Sequence, residues 1–309
     1  MRGIVRIVKM KFVNKIKLVL VIQVLLIFPQ AMFSLSSEPV ELNIFKRAYP
    51  DITFKSEYDG NLKDWKITMI IPEKNGNRNV VLYWCNGSMV PYEELKNKDK
   101  YWTLLYAYNS REDLADPADF TSEQIATMKN FGSDDNRKNG AGTPMFFFDA
   151  IYDSSTRASL EKHLVYTKFL GKAITIHERI KAPLLRVEER INKLAETDKE
   201  VKDFLAGLSK NEAYYWRLIA GTNRKSFHSL GIAIDVQPKY YGGKDVYWSW
   251  AKDRDPENWM LTPLSKRWMP PKSVIKIFEE EGFIWGGKWA IWDNMHFEYH
   301  PELILNSRS

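Results

Sequence analysis

Ser226-Phe227-His228-Ser229-Leu230-Gly231-Ile232-Ala233-Ile234-Asp235 places a histidine and an aspartate on either side of a glycine and then runs into an apolar strand. Gly231 tolerates positive φ, so the chain can turn between His228 and Asp235. In a strand from residue 232 onward, Ala233 and Asp235 share one face while Ile232 and Ile234 share the other. A small residue beside Asp235 leaves room for whatever the carboxylate holds. A second stretch, Asp293-Asn294-Met295-His296-Phe297-Glu298, supplies another histidine near the C-terminal end.

Zinc takes imidazole nitrogen and carboxylate oxygen in a tetrahedral shell, and a catalytic site keeps one position for water, leaving three for the protein. If the two stretches meet, His228, Asp235 and His296 make that set. Asp293 lies three residues before His296, on the opposite face of a regular strand. A bend between them would bring Asp293 beside the metal without ligating it, in the place of a general base. Arg217 and Arg224, just upstream, are the candidate cations for a developing oxyanion. On residue types alone other readings stay open. Asp235 can cap a turn, His228 and His296 can be satisfied core histidines, and a metal site need not be catalytic.

The chain has 309 residues, and 44% hydrophobic with 14% aromatic content is enough for a sizeable core rather than a disordered chain. The net charge of +6 is a local effect. Arg2, Arg6, Lys9, Lys11, Lys15 and Lys17 lie in residues 1–37 with no acidic residue, and setting them aside leaves 39 basic against 39 acidic residues. A nucleic-acid partner is therefore not expected. The same segment runs basic, then apolar over 18–28, then small at Ser34, Ser36 and Ser37, the order of a secretory signal. Export to the periplasm or the exterior is expected, with an uncleaved membrane anchor as the alternative and the only expected membrane contact. The single Cys85 excludes an intramolecular disulfide and sits in an apolar strand, 81–85.

Three parts follow: the leader 1–37, an extension over 38–155, and a domain over 156–309. In the extension, 65–71 and 79–84 read as strands around a polar turn, 101–108 as a strand or helix, 122–130 as a helix and 134–142 as a loop. Leu160, Leu164, Phe169, Ala173, Ile176 and Ile180 recur at helical spacing and predict a helix up to Pro183. Further helices are expected over 184–194, 199–208 and 271–281, and strands over 214–221, 232–236, 283–285 and 295–299. A glycine- and tryptophan-rich loop covers 239–270. This mixture predicts an α+β fold with a small, mostly antiparallel sheet flanked by helices. His163 and His177 have no metal-ligand spacing and are left outside the site.

The patterns S-x-H-x-x-G-x-A-x-D over 226–235 and D-x-x-H-F-E over 293–298 resemble the zinc D-alanyl-D-alanine carboxypeptidases and L-alanyl-D-glutamate endopeptidases of bacterial cell walls. These share a small α+β fold with the hedgehog signalling domain. Trp216 to Thr222, Tyr247 to Trp250 and Gly282 to Trp289 add to the likeness, which covers roughly residues 155–305. It implies one zinc ion per chain at His228, Asp235 and His296, Asp293 as the base, and peptidoglycan stem peptides as substrate. It also implies Arg217 at the scissile carbonyl, with Arg224 as the alternative, and Ser226 helping to hold substrate. Two departures stand out. Asp293 occupies a position where glutamate is frequent, and His300 one where arginine is common. His300 is expected on the substrate side or the surface rather than as a fourth ligand. A zinc-containing binding module without turnover is the alternative function.

Overall fold

The computed structural model describes residues 37–110 and 113–308, so the leader expectation lies outside the described residues. The first half begins with helix α1 (Leu42–Ala48) and a four-stranded meander, β1 (Thr53–Asp59), β2 (Asp64–Glu73), β3 (Gly76–Cys85) and β4 (Ser88–Val90), paired in that order. β2 shows why it forms. Ile67, Met69 and Ile71 alternate with more exposed residues and are buried, the period of a half-buried strand. Helices α2 (Ser122–Phe131), α3 (Asp134–Asn139) and α4 (Met145–Tyr152) follow. Thr121 opens α2 with a reciprocal capping box to Gln124.

The polar stretch 134–142, expected as a loop, contains a short helix, because the Ser133 side chain accepts from the Asn136 amide and supplies the cap. Residues 101–108 are neither strand nor helix, apart from an isolated bridge between Tyr101 and Gly142.

The helix expected up to Pro183 is a short helix α5 (Arg157–Leu160) and then a hairpin of β5 (Leu164–Phe169) and β6 (Lys172–His177). Leu170 and Gly171 join the strands with φ of 48° and 74°. Positive φ at both central residues of a two-residue loop suits the right-handed twist of the flanking strands. Ile174 and Ile176 bury the inner face of β6, so the apolar spacing that mimicked a helix is an alternation broken by a turn.

Helix α6 (Lys181–Ala195) buries Leu184, Val187 and Ile191 along one stripe, and α7 (Lys199–Gly207) packs against it. Next come β7 (Leu208–Glu212), β8 (Ala233–Pro238), α8 (Trp248–Arg254), α9 (Lys272–Glu280), β9 (Phe283–Trp285), β10 (His296–Tyr299) and α10 (Pro301–Asn306). The expected strand over 214–221 is irregular; the strand lies earlier, at β7. These strands form a second antiparallel sheet in the order β7-β8-β10-β9. Phe278 of α9 stacks on Phe297 of β10 with ring centres 3.9 Å apart, closing one face of that sheet. The architecture is α+β with small antiparallel sheets. One apolar core runs from Phe45 and Phe147 through Ile176 to Ile234, Phe278 and Phe297, and the described residues form one compact unit.

Candidate metal centre

The sheet register builds the site. In the antiparallel pair β8–β10, His296 stands opposite Asp235 and Glu298 opposite Ala233. Ala233, beside Asp235 on that face, is small and fully buried. His228 arrives from a short 3-10 turn, Phe227–Leu230, that ends at Gly231 with φ 68°. A Cβ on Gly231 would also sit 2.8 Å from the backbone nitrogen of His177, so β6 passes too close for any other residue. Ser226 opens the turn: its buried hydroxyl accepts from the His228 amide at 3.2 Å.

The ligand atoms of His228, Asp235 and His296 lie within 4.8 Å of one another, and all three residues are buried. His228 Nδ1 lies 2.6 Å from the carbonyl oxygen of Ala213, which can only accept. The proton therefore sits on Nδ1, and Nε2 carries a lone pair. That Nε2 is enclosed, has no hydrogen-bond partner, and faces Asp235 Oδ2 at 3.3 Å. Two acceptors turned toward each other in a buried space fit a cation between them. His296 Nδ1 lies 2.7 Å from Asp235 Oδ1, while its Nε2 meets Glu298 Oε1 at 2.8 Å. An imidazole with one nitrogen at the centre and the other on a carboxylate is the outer-shell arrangement that orients metal ligands. The donor set fits zinc.

The electrostatics agree. Burial works to raise the Asp235 carboxyl, but the hydrogen bond and charge of the His296 imidazole hold it below the usual carboxylate range. Burial likewise opposes ionisation of Glu298, yet His296 and His300 bring it down to about 2. Asp293 goes the other way. Burial pushes it up to about 7, with the Asp235 charge adding to the rise and His296 opposing it. Two carboxylates in one site thus have opposed proton affinities.

Between Asp293 and His296 the chain makes a turn, with the His296 amide donating to the Asp293 carbonyl at 3.3 Å. The Asp293 amide is fixed on Gly286 at 3.0 Å. Its Oδ1 is enclosed and has no hydrogen-bond partner, as a proton acceptor awaiting substrate would.

The two upstream arginines differ. Arg224 Nη2 donates to the carbonyls of Asn136 and Gly140 at 2.9 and 2.8 Å, and the guanidinium lies over the Trp102 ring. It is occupied in pinning α3. Arg217 is exposed and makes no ion pair among the described residues, while its backbone is tied to the Ser229 hydroxyl. Its charge reaches Tyr247, whose hydroxyl is raised by burial and by Asp293 and lowered by Arg137 and Arg217. Tyr247 pairs with Asp293 across an isolated bridge. Trp248, Trp259 and Trp292 form a separate apolar cluster behind this loop.

His300 is neither at the surface nor on a substrate side. It is 2% exposed and lies between Glu298 and Glu302. Glu298 and Glu302 were not singled out in the sequence. Their signal was present in the even spacing His296, Glu298, His300, Glu302, which puts the first three on one face of a strand.

Residues 220–299 match the family model described as D-alanyl-D-alanine carboxypeptidase, and residues 41–105 match a domain of unknown function. No curated protein and no solved structure matches the chain. The first match takes in Arg224, Ser226, His228, Asp235, Asp293 and His296 but not Arg217. Site and match together support a metallopeptidase of the D-alanyl-D-alanine carboxypeptidase type.

Proposed function

We propose that this protein hydrolyses an amide bond in the stem peptides of peptidoglycan, at an exported location. The observation that carries the reading is the enclosed, unpartnered His228 Nε2 facing Asp235 and His296, with the high-affinity proton acceptor Asp293 nearby. His228, Asp235 and His296 would hold a zinc ion, which would supply a Lewis acid able to acidify water and polarise a carbonyl. Asp293 takes the proton from the attacking water as its oxygen bonds to the carbonyl carbon. It then delivers that proton to the nitrogen as the C–N bond breaks. The Ala213 carbonyl keeps His228 in one tautomer, and Glu298 keeps the His296 ring from turning. Arg217 offers its guanidinium to the oxyanion. A binding module has no use for Asp293 in this place. The leader fits the reading, because peptidoglycan lies outside the cytoplasm.

Mass spectrometry of muropeptides, before and after incubation with the zinc-loaded protein, tests the reading. The expected products are stem peptides shortened by a terminal D-alanine or cut after L-alanine. An unchanged muropeptide profile with zinc bound would contradict it.

A further inference from the structure

We propose that Tyr49 in α1 is a positioning residue for the candidate metal centre, acting on His296 through a buried chain of hydrogen bonds. The proposal rests on the reading of His296 as a metal ligand. The Tyr49 hydroxyl donates to Glu302 Oε2 at 2.7 Å, and Glu302 Oε1 meets His300 Nδ1 at 2.8 Å. His300 Nε2 meets Glu298 Oε2 at 3.1 Å, and Glu298 Oε1 meets His296 Nε2 at 2.8 Å. All five residues are buried. Each carboxylate uses both oxygens and each imidazole both nitrogens, so no link can rotate without breaking a bond to its neighbour.

The chain has a direction. One end is a tyrosine hydroxyl in the first helix, and the other is the ring whose remaining nitrogen faces Asp235. The His300 ring is gripped edge-on by Phe148 of α4 and by Phe227, with centres 5.2 and 4.7 Å away. Phe227 is the residue before His228, so the same imidazole abuts the supports of two candidate ligands. Packing alone would not require this. Burying carboxylates is costly unless every oxygen is satisfied, and apolar residues of similar volume hold helices together as well or better. A satisfied polar chain ending on a ligand fixes orientation, and outer-shell partners tune metal affinity. Tyr49 lies in the segment 41–105, outside the peptidase match. The first half of the chain therefore takes part in the centre and does more than cover it.

The test compares full-length wild type, Tyr49→Phe, Glu302→Gln and the control Leu42→Ala. Leu42 is fully buried in α1 and outside the chain of bonds. Zinc affinity is measured by competition with a chromophoric chelator, and ligand geometry from the visible spectrum of the cobalt-substituted protein. Glu302→Gln should weaken zinc about tenfold, with Tyr49→Phe at roughly a third of that factor, and both should shift the cobalt bands. Leu42→Ala should loosen the helix yet leave affinity and spectrum as in wild type. Wild-type affinity and spectrum in Tyr49→Phe would overturn the proposal, whatever Glu302→Gln shows. Equal weakening in Leu42→Ala would overturn it too, since the effect would then be general loosening. A wild type that binds no zinc would instead overturn the metal reading on which it stands.

Discussion

Replacing Asp293 by alanine should lower hydrolysis of purified peptidoglycan by roughly 10²–10⁴-fold, the usual weight of a positioned acid or base, with zinc still bound. The two halves of this expectation have separate grounds. Asp293 is not among the three residues whose ligand atoms converge, so occupancy should survive. Its carboxyl is raised to about 7 by burial, whereas that of Asp235 is held below the usual range, which makes Asp293 the better proton acceptor of the two. The turn from Asp293 to His296 and the Gly286 contact are backbone hydrogen bonds and persist in the variant. Lost turnover therefore reports the missing carboxylate and not a collapsed loop. Unchanged turnover would remove Asp293 from the mechanism.

The second large effect separates the two histidines. His296→Ala and His228→Ala should each weaken zinc by more than the 10–100-fold, roughly, that outer-shell changes cause. Their effects on the metal-free fold should differ. His296 bonds to both Asp235 and Glu298. Removing it leaves Asp235 Oδ1 and Glu298 Oε1 without their buried partner, although Glu298 keeps His300, at a cost of about 3–5 kcal/mol, the range for breaking a buried ion pair. His228 Nδ1 gives up a neutral bond to the Ala213 carbonyl, worth about 1 kcal/mol net. Urea unfolding of the two metal-free variants should therefore show His296→Ala as clearly the less stable. Equal stabilities, or full zinc occupancy in either variant, would contradict the described roles.

Much of the site was legible in sequence because its geometry is local and periodic. Gly231 between His228 and Asp235 announced a turn into a strand, and the alternation over 232–235 put Asp235 beside Ala233. The bend between Asp293 and His296 followed from their odd spacing once both were assigned to one centre. What sequence concealed was of two kinds. The β5–β6 hairpin has apolar residues at intervals that fit a helix as well as two strands, and only the Leu170–Gly171 turn decides between them. The other kind is nonlocal. Tyr49 meets Glu302 across 253 residues, and no periodicity within the chain signals that pairing. Arg224 was ranked beside Arg217 because both precede His228. The carbonyls of Asn136 and Gly140 that occupy it come from a stretch read as a loop. His300 was misplaced because β10 does end at Tyr299, yet the His300 side chain still continues the face begun by His296 and Glu298 and reaches both Glu298 and Glu302.

One zinc ion held by His228, Asp235 and His296 is proposed to make this chain a peptidase. Metal analysis of the purified wild type, made on the same sample assayed for peptidoglycan hydrolysis, tests it most directly. One zinc per chain is predicted, with activity lost on chelation and restored by zinc. A folded protein that hydrolyses its substrate at full rate with no metal bound would contradict the claim.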